Sequence, residues 1–394
     1  MSRDEIRASA SLAAIFALRM LGLFMLSPVF AIYAKSLSGG DNALLVGITL
    51  GMFSLVQACC QLPFGIASDR YGRKPVIIAG LILFVLGAVV CAESGNLIGV
   101  LIGRAIQGLG AISAAITALI ADSTREEHRT KAMAMVGGSI GITFALAMVI
   151  SPVLFESIGM SGMFLMTAVL GVAAIATVLW VTPDAPAVPA APVALASVLK
   201  NRELMRLNLG VFVLHFAQMA MFVVVPATLV QVAGFPVASH WKIYLPVMLV
   251  SFVAMLPAIF VGEKYGKMKP VFVAAIALLF LVQLGFWQLL QHPFALIALL
   301  FAFFIAFNIL EASQPSLVSR IAPPAAKGAA LGVYNTLQAL GIACGAATGG
   351  YLTQYASASA IFALCAGLTL IWLIIASNMP DIARRSGSKQ PAQG

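Results

Sequence analysis

Apolar runs of about twenty residues recur twelve times along this chain, and that pattern decides what it can fold into. A helix needs about 20 residues to cross the hydrocarbon core of a bilayer. The runs fall near 12–34, 43–66, 75–92, 97–121, 132–155 and 162–182, then 207–230, 242–262, 270–290, 294–316, 328–350 and 356–378. Inside lipid each segment must satisfy its own backbone N–H and C=O groups, so the runs predict transmembrane helices and an all-α fold. Composition leaves no soluble alternative: 61% of the residues are apolar and 9% charged, against about 25% charged in soluble domains. The 34 Gly and 19 Pro are scattered through the apolar runs, where membrane helices tolerate them. The first run is too long for a signal-peptide core and lacks a small-residue cleavage site, so it is expected to remain as an anchor. Cys59, Cys60, Cys91, Cys344 and Cys365 lie within apolar runs without metal-site or disulfide-framework spacing and read as small packing residues.

The twelve runs divide into six and six around one interruption, a Pro/Ala-rich "PDAPAVPAAP" followed by the charged "KNRELMR". The division predicts an N-terminal bundle over 1–182, a linker with a short interfacial helix over 183–206, a C-terminal bundle over 207–379 and a tail over 380–394. Positive charge sets the orientation, because Lys and Arg are retained on the cytoplasmic side during insertion. With both termini inside, the inner segments hold 19 of the 23 basic residues, the outer loops hold Lys35 and Lys242, and Arg19 and Arg104 lie within spans. The net charge of +9 therefore reflects topology in a multi-pass inner (plasma) membrane protein of bacterial type. Lipid is the expected surrounding, nucleic acid is not an expected partner, and a monomer is the expected state.

A repeat relates the halves. "QLPFGIASDRYGRKP" after span 2 returns as "MLPAIFVGEKYGKMKP" after span 8, so that at an offset of 194 Pro63 matches Pro257, Asp69 matches Glu263, Arg70 matches Lys264, Gly72 matches Gly266 and Arg73 matches Lys267. Charge sign is kept at each charged match. A weaker echo relates the entries to spans 5 and 11 at an offset of 196. Parallel six-helix repeats place a ligand site at their interface near the bilayer midplane.

Gly65-x-x-x-Asp69-Arg70-x-Gly72-Arg73-Lys74, between spans 2 and 3, resembles the signature loop of the major facilitator superfamily. Arg104-x-x-Gln107-Gly108-x-Gly110-Ala111 on span 4 is similar to that superfamily's second motif, seen especially in proton-coupled drug exporters. "FALRMLGLFM", "STREEHRTKAMAM", "GITFALAMV", "HWKIYL" and "AFNILEA" resemble the YajR-type efflux transporters within it, and the likeness runs to about Met379. The resemblance implies twelve helices in two bundles. It also implies a latch in which Asp69 meets the N-terminal end of span 11, entered at Lys327 and Gly328, while Arg73 pairs with Asp122. Arg70 and Lys74 belong to the same motif, where a purely topogenic role is the alternative. There are two departures. The best-known YajR-type member carries a soluble domain after helix 12, whereas this sequence stops soon after Arg384 and Arg385. The span 5 antiporter motif stands as Ala147-x-x-x-Ser151-Pro152, with other small residues replacing glycine, which weakens the antiporter label.

Ionisable residues are expensive inside a membrane, so Arg19, Arg104, His215 and Glu311 are functional candidates. Glu311 is the one acid near the middle of a span and is read as a proton or substrate site; a structural bond to a neighbouring helix is the plainer role. His215 has Gln218 on the same helical face and is read equally as a titrating group or an interhelical hydrogen-bonding residue. Arg19 needs a partner or a wet cavity, and would bind an anionic substrate group or pair with Glu311. Arg104 with Gln107 suggests a polar stripe, and the resemblance assigns that Arg to proton transfer. Gln57 with Gln61, Asn308 with Glu311, and Tyr334 with Gln338 would line an interior path if turned inward.

The expected function is secondary transport: proton-coupled efflux of small amphipathic or drug-like molecules by alternating access, with proton-linked uptake of a small metabolite as the alternative. No P-loop or H-E-x-x-H sequence is present and no nucleophile and base can be assigned, so neither an ATP-driven pump nor an enzyme is expected, and neither cofactor nor metal. A channel would call for rings of like polar residues, which the half-to-half repeat does not supply.

Overall fold

Several spans begin where a short polar side chain captures the free N–H groups of a first helical turn. Asn42 accepts from the Leu45 amide at 3.0 Å, Asn96 from Gly99 at 2.8 Å, and Asn201 from Glu203 and Leu204. Ser2 and Glu5 form a reciprocal capping box. The computed structural model describes residues 1–184, 195–323 and 326–380. The remainder of the Pro/Ala-rich linker and the tail bearing Arg384, Arg385 and Lys389 lie outside the described residues.

The helices are α1 (Arg3–Phe24), α2 (Phe30–Tyr33), α3 (Ala43–Tyr71), α4 (Arg73–Glu93), α5 (Leu97–Leu109), α6 (Ser113–Ser123), α7 (Glu126–Trp180), α8 (Leu195–Leu199), α9 (Arg202–Gln231), α10 (Trp241–Lys264), α11 (Met268–Leu289), α12 (Pro293–Ile321), α13 (Lys327–Tyr355) and α14 (Ala360–Ser377). Among the described residues, ten helical segments are long and apolar enough to cross a membrane. The long α7 supplies two spans, because its backbone leaves helical geometry at Gly159 (φ 64°, ψ −178°). The 29-residue α13 is long enough but less apolar, owing to its glycines and to Asn335 and Gln338. Twelve spans in two six-helix bundles result.

The boundaries differ from the sequence reading in three places. Span 1 starts at Arg3 and stops at Phe24, because Pro28 lacks the N–H that a continuing helix needs. Span 4 is broken between α5 and α6 at Gly110–Ile112. "KNRELMR" is not an interfacial helix: Asn201 caps α9 and the charged residues form its first turns.

The repeat is visible in the backbone. Gly72 (φ 94°) and Gly266 (φ 68°), matched at an offset of 194, both have positive φ at the turns between spans 2 and 3 and spans 8 and 9. Gly72, with ψ 151°, lies in a region that side-chain-bearing residues rarely enter. Gly72→Ala is therefore expected to cost about 1–3 kcal/mol, read as a lower Tm in detergent. Gly137→Ala, whose added methyl meets open space, is expected to be near neutral.

Contact between the halves is uneven along the membrane normal. On α3, Gly47 and Gly51 pack against the α13 backbone at Ala346 and Ala343, and Gly350 packs against Ala43. The Ala43 amide also donates to Gln354 Oε1 at 2.7 Å. The same helical stripe continues toward the basic loops as Leu55, Leu62 and Ile66, which are 41%, 64% and 58% exposed. On the facing helix the space about Gly332 and Gly328 is open. Near mid-span Phe144 of α7 meets Phe304 and Phe307 of α12 with ring centroids 6.1 and 6.0 Å apart. The halves therefore close beyond these rings and part toward the basic-loop end.

Candidate functional site

Three polar residues from three spans of the C-terminal half converge beside the aromatic contact. α9 brings His215, α12 brings Glu311 and α13 brings Gln338. His215 is buried and edge-on to Phe307 at 5.7 Å. Its Nδ1 lies 3.0 Å from the Val211 carbonyl, which can only accept, so Nδ1 carries the proton. Gln338 Nε2 lies 2.7 Å from His215 Nε2 and 3.5 Å from Glu311 Oε1, and donates to both. The arrangement is an imidazole beside a carboxyl group, with an amide bridging the two. Glu311 Oε2 stands 3.5 Å from His215 Nε2 and has no hydrogen-bond donor of its own. A proton added to either group would supply the missing donor, and Gln338 can turn its amide oxygen to accept. The Glu311 side chain is 35% exposed, while its Oε2 is itself buried.

The other candidates sort by partner. Asn308 turns to Ser251 on α10 at 2.8 Å, not to Glu311. Tyr334 donates to Gln314 Oε1 at 3.4 Å, not to Gln338. Gln218 and Gln57 are buried. Ser251 and Gln314 were missed by the sequence reading, although Ser251 stands 194 residues from Gln57 and the repeat could have found it.

The structure does not join Arg19 to Glu311. Arg19 is fully buried within the N-terminal bundle, where Nη2 donates to the Gly110 carbonyl at 3.0 Å and the guanidinium lies over Phe53 and Phe84. It stands 196 residues before His215, and each reaches from the first span of its half to the fourth. Arg104 lies over Phe53 at 5.1 Å and donates to Gln107 at 3.0 Å. The glycines of this motif seat the helix: a methyl on Gly108 would strike the Phe53 carbonyl at 2.5 Å, and Gly110 packs on Gly80. In the span 5 motif, Ser151 donates to the Met25 carbonyl left free where α1 ends.

At the basic-loop end Arg73 is the hub. It donates to Asp122 at 2.9 Å, to Ser68 at 2.8 Å and to Asp69. Lys74 pairs with Asp184 at 2.7 Å, and Arg70 stacks on Tyr71. Ser68 was not anticipated; its hydroxyl sits one turn from Gly72 in the motif. Gly65 faces Ala114, with room for a methyl at ordinary contact distance. Asp69 is 53% exposed and, among the described residues, its carboxylate bonds only Arg73, so the contact with the start of α13 is not made in this state. The Lys327 side chain lies outside the description.

Two bundles of six spans parted at one end, with buried polar groups in each, define a membrane transporter. The family model of the Major Facilitator Superfamily matches residues 12–343 and 241–393. The chain belongs to that superfamily and is a transporter, not an enzyme. It is 42% identical to the inner membrane transport protein YajR of Escherichia coli, over 97% of this chain and 85% of that protein. It is 26% identical to the multidrug resistance protein MdtH of Aeromonas salmonicida, over 86% of each. The crystal structure of the human organic anion transporter MFSD10 superposes with a TM-score of 0.72 over 95% of this chain and 100% of that one, at 19% identity, which shows the shared fold.

Proposed function

We propose that the chain exports small amphipathic molecules in exchange for protons, with 1–182 and 207–379 as rocking halves, 183–206 as the linker, 380–394 as the tail, and the basic loops and both termini in the cytoplasm. The observation that carries this is the His215–Gln338–Glu311 cluster: a proton acceptor lacking one donor, at the parted end of the contact between halves. Protonation changes which bonds α9, α12 and α13 can make, and a bound proton shifts the balance of states by its differential affinity for them. The nineteen basic residues of the inner loops support the orientation. Kinship to a protein named for multidrug resistance supports export of drug-like compounds. The latch at Asp69 belongs to the opposite state, closed at the basic-loop end.

The test is transport by purified protein in liposomes of known insertion orientation, against a panel of amphipathic dyes. Substrate is expected to move away from the basic-loop face only under a pH gradient. Equal movement without a gradient removes proton coupling, and accumulation toward that face replaces export by metabolite uptake.

A further inference from the structure

We propose that the N-terminal half holds an anion-binding site between Arg19, Arg104 and Gln107, taking a carboxylate or a halide. Both guanidiniums keep their charge in a protein interior, and removing such an ion from water costs several kcal/mol unless it is compensated. Arg19 is 0% and Arg104 5% exposed, and among the described residues neither has an acidic partner within ion-pair distance. Arg19 uses Nη2 on the Gly110 carbonyl, and its Nε and Nη1 have no acceptor. Arg104 spends Nη1 on Gln107 Oε1, while Gln107, fully buried, leaves Nε2 unpaired.

Partial compensation is visible. The Gly110 carbonyl lies at the negative end of the α5 dipole, where a cation is favoured. Phe53 serves both cations, at 5.4 and 5.1 Å, and Phe84 serves Arg19 at 5.7 Å. Each such contact is worth about 0.5–2 kcal/mol, less than the burial cost of one ion. The set is therefore donor-rich: the two guanidiniums share the Phe53 ring, and Arg19 Nε, Arg19 Nη1 and Gln107 Nε2 have no acceptor among the described residues. That is the complement of a carboxylate or halide, and the guanidinium fork suits a carboxylate in two-point contact.

The other half is built oppositely. His215, the counterpart of Arg19, meets a carboxylate, whereas among the described residues Arg19 and Arg104 meet none. If the export reading is right, the transported molecule is a monoanion whose charge is held by this site while the proton sits on the other half. The site itself does not depend on that reading.

Purified full-length protein in detergent is unfolded thermally at constant ionic strength with methanesulfonate as the reference anion, while chloride, benzoate or neutral benzamide is titrated. A saturable rise in Tm is expected with chloride, benzoate or both, and none with benzamide. A rise with chloride alone assigns a resident halide, a rise with benzoate alone assigns a substrate carboxylate, and competition assigns one site to both. Arg19→Gln and Arg104→Gln are each expected to weaken binding at least about tenfold. Gln107→Leu, which changes no charge, is expected to weaken it about threefold or more and decides the matter should the arginine variants fail to fold. No saturable response in the wild type, or wild-type affinity in the variants that fold, overturns the site and leaves water as the partner of these donors. The measurement is at equilibrium without a gradient, so its failure is distinct from a failure of proton-driven export.

Discussion

Replacing Glu311 by Gln is expected to abolish proton-driven transport while leaving the protein folded. The substitution keeps the shape of the side chain and its reach to Gln338, but it removes the carboxylate that stands 3.5 Å from His215 Nε2. No negative group then faces the imidazole, and the difference between protonated and deprotonated clusters that biases the two states is lost. In liposomes the variant should show no accumulation under a pH gradient, with a Tm matching that of the wild type and retained exchange of substrate at equal pH on both sides. Gradient-driven accumulation at the wild-type rate would remove Glu311 from the coupling site.

Loss of the hub at Arg73 is the largest stability effect expected. Arg73 and Asp122 are each 9% exposed and bonded at 2.9 Å, so Arg73→Met leaves an uncompensated buried carboxylate, a loss of about 3–5 kcal/mol. The Asp69 contribution is smaller, because that carboxylate is half exposed and screened by water. The double variant Arg73→Met, Asp122→Leu should recover part of the loss, since an apolar pair replaces a charged one without stranding either partner. Tm values of the two single variants and the double one, measured in the same detergent, check this. Losses that simply add would show that the two side chains are not coupled.

The candidate site was legible only in its members. His215, Glu311 and Gln338 stood out because polar side chains in apolar runs are expensive. The pairing did not, and the sequence reading joined Tyr334 to Gln338 and Asn308 to Glu311 by helical spacing, whereas both reach to other spans. Arg19 shows the same gap. Its cost in hydrocarbon was evident, but its destination, a carbonyl exposed by the break in span 4, depends on a distortion at Gly110 that no local pattern announced. Ser251, Gln314 and Ser68 went unnoticed because a single small or uncharged polar residue in a span is too common to signal a partner.

By itself the sequence determined the membrane class, the division into six and six, the clustering of basic loops at one end and the repeat that matches Gly72 with Gly266. Each follows from a property of short segments: length of apolar run, local charge, or a motif that recurs. Tertiary structure alone decided that Arg19 turns into its own bundle, that His215, Gln338 and Glu311 meet, and that the halves are closed beyond Phe144 and parted toward Ile66. A helix apolar on all sides carries little record of which face points where, and its rotation is set by close packing against neighbours, as Gly47 and Gly51 set it against α13.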